Sequence, residues 1–100
     1  MPETEVTIKV TNKKGLHARA AAKFVKTAGL FDVHVTVSKT AGAGVVAGVE
    51  AVEVSGGSIL GLMMLGAECN SSLRLRVSGA QAQTAIDAIQ KLMEDKFGEE

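Results

Sequence analysis

Four stretches of this chain alternate apolar and polar residues with a period of two, and every one of them keeps a polar face. In VTIKVT, Val6, Ile8 and Val10 share one side and Thr7, Lys9 and Thr11 the other. In VHVTVS, Val33, Val35 and Val37 oppose His34, Thr36 and Ser38. Val52 and Val54 oppose Glu53 and Ser55, and in LRLRVS, Leu73, Leu75 and Val77 oppose Arg74, Arg76 and Ser78. Successive side chains of a strand point to opposite faces, so these segments predict a sheet buried on one side only. Strands buried on both faces would read as continuous apolar runs, so the sheet is expected to be antiparallel.

Between the strands the period changes to that of a helix. Ala18 to Ala28 places Ala21, Phe24, Val25 and Ala28 on one stripe, and Gly29 is well placed to end it. Ala80 to Phe97 does the same with Ala82, Ala85, Ile86, Ile89, Leu92 and Met93. A third, short candidate is SILGLMMLG, after Gly56 and Gly57. The order βαββαβα predicts an α+β fold: a two-layer open-faced sandwich, with a four-stranded antiparallel sheet and three helices on one face, in a single domain over residues 1–100. The segment TAGAGVVAGVEA, Thr40 to Ala51, joins the second and third strands without fitting either pattern. No Lys-Ser/Thr follows it and no long helix opens from it, so it does not match a phosphate-binding loop.

Composition removes several classes of function. Eleven basic and eleven acidic side chains cancel, whereas a nucleic-acid binder carries a basic excess. Aromatic residues are 3% of the chain, all phenylalanine, which disfavours a base-stacking surface. Cys69 is the only cysteine, so no internal disulfide can form and a reducing compartment is expected. MPETEVTIKV lacks the apolar run of a secretory signal, and no stretch reaches the ~18 apolar residues of a membrane span. A cytoplasmic location, away from membranes and nucleic acids, is the expectation. His34 and Cys69 share no ligand-like spacing with His17, so no metal site is expected.

The residue that invites a functional reading is His17, in KKGLHARAAAKFVKTAG, just before the first helix. The first N–H groups of a helix lack internal partners and present a partial positive charge, which makes that end an anion site. Arg19 adds a permanent cation with a planar fork of donors. The same field disfavours imidazolium, so a neutral imidazole placed there is a usable nucleophile. Ala18, Ala20 and Ala21 are small enough to leave room for a partner. These features suit a histidine that accepts a phosphoryl group; they equally suit a solvated residue that caps a turn. On the short helix, if Leu62 and Leu65 turn inward, Ile59, Leu60 and Met63 form an exposed apolar patch, although a fully buried helix fits the residues as well.

GLHARAAAKFV resembles the active-site segment of the HPr family, the histidine-containing phosphocarriers of the bacterial phosphoenolpyruvate-dependent phosphotransferase system. GGSILGLMMLG resembles that family's second signature, a serine and short helix after the third strand. Both occur in the family's order, and the resemblance runs from about Glu5 to Phe97. It implies that His17 takes a phosphoryl group on Nδ1 from enzyme I and passes it to a IIA-type acceptor, with Arg19 accompanying it. It further implies that Ser58 is the serine modified by HPr kinase/phosphorylase in members so regulated, and that Ala20, Ile59, Leu60 and Met63 face the partners. The expected protein is a monomeric carrier, not an enzyme with turnover of its own, and it needs no cofactor.

Two departures stand out. Ala20 occupies a position where most members carry proline, which restores an N–H and loosens the first turn; transfer rate and phosphohistidine lifetime are the properties this touches. The Thr40–Ala51 connection is roughly ten residues longer than usual, and loops of that length are functional or disordered. Two rival readings remain open on the sequence: a regulatory protein that uses the same surface without feeding sugar uptake, and an RNA-binding sheet. The second calls for aromatics on the open face, which instead carries Thr7, Lys9, His34, Thr36, Glu53 and Arg74.

Overall fold

The alternating segments pair into one sheet in the computed structural model of the chain, which describes residues 3–42, 45 and 52–99. The strands are β1 (Glu3–Lys9), β2 (His34–Ala41), β3 (Glu53–Ser55) and β4 (Ser72–Ser78). They are ordered β1-β4-β2-β3, with every neighbouring pair antiparallel. Register keeps the apolar set on one face: Leu75 stands between Val6 and Val37, and Val37 also faces Val54. Ile8, Val35, Val37, Leu73, Leu75 and Val77 are buried, whereas Thr7, Lys9, His34 and Glu53 are exposed. A slip of one residue would exchange those two sets, so burial fixes the register. The ladder between β1 and β4 starts at Glu3 opposite Ser78, earlier than the apolar alternation suggests, because backbone pairing continues under polar side chains.

Three helices, α1 (Ala18–Ala28), α2 (Ile59–Met64) and α3 (Ala82–Glu94), complete the open-faced sandwich. α1 packs against both α2 and α3, and α3 also lies against β1 and β4. Phe24, Leu62, Ile86, Ile89 and Met93 join the inward strand residues in one apolar core. Gly29 ends α1 as expected, but in a right-handed conformation, φ −70° and ψ −10°, so the left-handed cap that glycine usually supplies is not what stops this helix. Of the Thr40–Ala51 connection, residues 43, 44 and 46–51 lie outside the described residues.

The long helix expected from Ala80 to Phe97 is shorter. α3 stops at Glu94, and the chain turns through three left-handed residues: Lys96 (φ 54°), Phe97 (φ 55°) and Gly98 (φ 73°). For the two non-glycine residues this conformation costs roughly 1–2 kcal/mol each. It is held because the Phe97 ring is buried, 1% exposed, and burial of such a ring is worth about 1.5–3 kcal/mol. Lys23 Nζ also donates to the Phe97 carbonyl. The apolar spacing from Met93 to Phe97 looked helical, yet the ring reaches the core from a turn.

Gly56 sets how closely the turn between β3 and α2 approaches the core. A Cβ there would lie 2.6 Å from Val35 Cγ1, 2.8 Å from Val35 Cβ and 3.2 Å from Phe24 Cε1. Gly56→Ala is therefore expected to destabilise the fold by about 1–3 kcal/mol through overpacking, or roughly 5–20 °C in Tm for a domain this size. Thermal melts followed by circular dichroism check it. An unchanged Tm would mean that the turn can rise off Val35 without cost.

Candidate functional site

The loop between β1 and α1 is shaped by Asn12 and Gly15. Gly15 N–H donates to the Asn12 carbonyl (3.2 Å), and Asn12 Nδ2 donates back to the Gly15 carbonyl (2.7 Å). Gly15 has φ +67°, and a Cβ there would sit 2.4 Å from the Ala67 carbonyl oxygen, so both conformation and space demand glycine. Leu16 N–H donates to that same carbonyl at 2.8 Å and its side chain is buried. The chain is thereby pinned to the segment after α2 immediately before His17.

His17 is the N-cap of α1, extended at φ −79° and ψ −179°, and its carbonyl accepts from Ala21 N–H at 2.8 Å. Its side chain makes no capping hydrogen bond, and the first turn of α1 holds no acidic residue. The donors and the positive end of the helix dipole are thus not compensated by the helix's own side chains. The imidazole is 29% exposed, and its Nε2 pairs with Glu99 Oε2. The other carboxylate oxygen of Glu99 accepts from Asn12 Nδ2 at 3.0 Å. Burial pushes the Glu99 carboxyl up, but hydrogen bonds from Asn12 and His17, with the charge of Lys14, outweigh it and hold the group below its ordinary 4.5. Two acceptor oxygens, of Gly15 and Glu99, face Asn12 Nδ2, which fixes how the amide is turned.

The expected site residues divide into those at the helix mouth and those on α2. Arg19 is exposed in the first turn, with no hydrogen bond or ion pair among the described residues. Ala20 corrects an expectation: it is 0% exposed, on the core stripe with Phe24, so its side chain offers no surface to a partner. Ala21 is buried as well, and of the three small neighbours only Ala18 is exposed. Ser58 is the N-cap of α2, its Oγ accepting from Gly61 N–H at 3.0 Å. Leu62 is fully buried, while Ile59 (41%), Leu60 (69%) and Met63 (42%) are exposed, together with Met64 (76%). Because Leu16 bonds Ala67 beyond the end of α2, the His17 turn adjoins the finish of α2 and not its start at Ser58.

Sequence reasoning missed Asn12, Glu99 and Met64. Asn12 carried a signal, since asparagine three residues before glycine is common turn chemistry. Glu99 carried none: it stands 82 positions from His17 and arrives through the left-handed turn at Phe97. Among the described residues no group of three His, Cys, Asp or Glu side chains is gathered as a metal site would need.

Comparison with known proteins places this geometry. Residues 4–95 match the family model described as PTS HPr component phosphorylation site. The chain is 41% identical over 100 residues to phosphocarrier protein HPr of Xylella fastidiosa, covering 100% of this chain and 99% of that one. It is 40% identical over 99 residues to phosphocarrier protein HPr of Pseudomonas aeruginosa, covering 99% and 98%. Among solved structures, HPr-C-His from Thermoanaerobacter tengcongensis superposes with a TM-score of 0.80 at 39% identity, covering 97% and 98%.

The Glu99 carboxyl also gives the fold an acid-sensitive contact. Its folded-state pKa lies below the ordinary value of 4.5, so ionised Glu99 stabilises the folded chain above that pH, and the contribution is lost as pH falls through the folded value. Glu99→Gln should therefore melt below the parent at pH 6, with the gap closing towards pH 3. Paired melts across that range check it, and a gap that does not change with pH would show that the carboxylate's charge contributes nothing.

Proposed function

Because the chain belongs to the HPr family of phosphocarrier proteins of the phosphotransferase system, we propose that His17 is its phosphoryl acceptor, charged by enzyme I and discharged to a IIA-type acceptor. The observation that carries this reading is the placement of a partly exposed imidazole at the mouth of α1, where no acidic side chain of the helix competes for its donors. In each transfer a lone pair of one imidazole attacks phosphorus in line as the N–P bond to the other breaks, the electron pair leaving with the donor ring. Helix-end donors that are already oriented stabilise the charge on the phosphoryl oxygens with little reorganisation. Arg19, unpaired among the described residues and in the same turn, clamps those oxygens with a planar fork that lysine cannot reproduce. No metal or organic cofactor takes part, and the chain is a monomeric cytoplasmic carrier without turnover of its own.

Ile59, Leu60 and Met63 form the docking surface beside the acceptor, and Ser58 is the regulatory position where HPr kinase/phosphorylase acts if the cell has one. A phosphate on Ser58 adds about −1.5 to −2 charges at a helix N-terminus, which tolerates it. Six residues of α2 at 1.5 Å each, about 9 Å, separate Ser58 from the end of α2 that adjoins the His17 turn. That is close to the ~8 Å screening length at physiological salt. Direct repulsion of an incoming phosphoryl group is therefore weakened, and the stronger effect falls on the neighbouring Ile59 and Leu60, which cannot be desolvated cheaply beside a dianion.

Two outcomes test the proposal. With phosphoenolpyruvate and enzyme I, the parent should gain one acid-labile, base-stable phosphate, His17→Ala should gain none while keeping its fold, and Arg19→Lys should be labelled more slowly. Label persisting in His17→Ala, for instance at His34, would overturn the assignment. Ser58→Asp should slow labelling by on the order of tenfold, about 1.4 kcal/mol, with little loss of Tm, since aspartate also caps helices. Unchanged kinetics in that variant would reduce Ser58 to a cap.

A further inference from the structure

An imidazole has two nitrogens that could accept a phosphoryl group, and nothing in a helix N-terminus chooses between them. The family resemblance implies Nδ1; we propose that the Glu99 carboxylate is the positioning group that enforces that choice in this chain, by occupying Nε2 of His17. The inference rests on His17 being the phosphoryl acceptor and concerns which of its atoms reacts.

Three anchors hold Glu99 in place. The Phe97 ring is buried two residues before it, Lys23 Nζ donates to the Phe97 carbonyl, and Asn12 Nδ2 donates to Glu99 Oε1 at 3.0 Å. The remaining oxygen, Oε2, meets Nε2 of His17, while Nδ1 makes no hydrogen bond among the described residues. The Glu99 side chain is 13% exposed, so the contact is sheltered from competing water. A neutral imidazole carries one N–H and one lone pair, and an ionised carboxylate can only accept. Since the carboxyl is held below its ordinary value by Asn12 and His17 against the opposing effect of burial, it is ionised near neutrality. Nε2 then carries the proton and the lone pair stands on Nδ1.

The same contact serves both directions of transfer. As Nδ1 forms its bond to phosphorus, the donor's bond to phosphorus breaks with its electron pair. The new N-phosphoimidazole keeps its Nε2–H, and the positive charge spreading over the ring faces the Glu99 carboxylate. On discharge the pair returns to Nδ1 and the carboxylate has gained or lost no proton. Glu99 touches neither phosphorus nor the partner in this scheme.

The test needs no partner protein. The parent, Glu99→Ala and Glu99→Gln are incubated with phosphoramidate, a small donor that releases ammonia on transfer, and the phosphohistidine isomers are resolved by 31P and 15N NMR. The Nε2 isomer is expected to rise from below about a tenth of the product in the parent to a third or more in Glu99→Ala, as two exposed ring nitrogens compete. Glu99→Gln, whose amide can turn either way towards Nε2, should fall between them. Ring 15N shifts of the unphosphorylated proteins should show one tautomer in the parent and a mixture in Glu99→Ala. Nδ1 phosphorylation alone in all three proteins, or substantial Nε2 product in the parent, would overturn the proposal. Failure of the parent to be labelled by phosphoenolpyruvate and enzyme I would instead overturn the carrier reading, so the two failures are told apart.

Discussion

The candidate site depends on one buried amide. Asn12 is 0% exposed, and its Nδ2 group serves the Gly15 carbonyl on one side and Glu99 on the other. The first bond closes the turn that delivers His17 to the start of α1. The second holds a carboxylate that comes from the far end of the sequence. Burying an amide is unfavourable unless it is hydrogen-bonded, and Asn12 Oδ1 has no partner among the described residues. The fold tolerates that orphaned acceptor, which costs on the order of 1–3 kcal/mol, because the donor side of the same group ties two distant segments to the histidine.

A second constraint is the antiparallel packing of α1 and α2. Leu16 is bonded to Ala67, just past the end of α2, while Gly56, just before α2, lies close over Phe24 in the middle of α1. These two contacts fix the helices end to end, with Leu62 filling the space between them and the sheet. The arrangement leaves Leu60 and Met64 outermost on α2. An apolar surface and an arginine unpaired among the described residues thus stand on adjoining parts of the helical layer, which is the combination a transient docking site uses: apolar area for affinity, a charge for steering and register.

What the sequence made legible follows from range. Most of the sheet could be read because period-two alternation is local; Val35, Val37, Leu73 and Leu75 went inward as their spacing required. α1 was legible for the same reason. Val52, grouped with the inward set, instead precedes β3 and is exposed, and Ser38, expected on the polar face, is buried. Errors arose where a long-range fact overrode a local pattern. Phe97 kept helical spacing from Met93 yet lies in a left-handed turn, because its ring had a place in the core and the backbone yielded to it. Ala20 looked like an open position because it is small, but its smallness suits close packing under the first turn. Glu99 was illegible altogether, since only the completed fold brings it to His17.

Charge sets the mouth of α1 apart from the open sheet. On the sheet's outer face Arg76 donates to Glu3 Oε1 (3.1 Å) and Glu53 Oε2 (2.9 Å). Those bonds, that to Glu53 first, raise its pKa and keep the guanidinium firmly charged. Exposed bridges of this kind add little stability, but they link β1, β4 and β3 and hold that arginine between two carboxylates. At the mouth of α1 the balance runs the other way. Arg19 has no acidic partner among the described residues, the helix end has no acidic cap, and the Glu99 carboxylate is committed to Asn12 and the far side of the imidazole. Among the described residues, Arg76 on the open sheet is thus committed to carboxylates, whereas Arg19 at the mouth of α1 would meet an anion without first breaking an ion pair of its own.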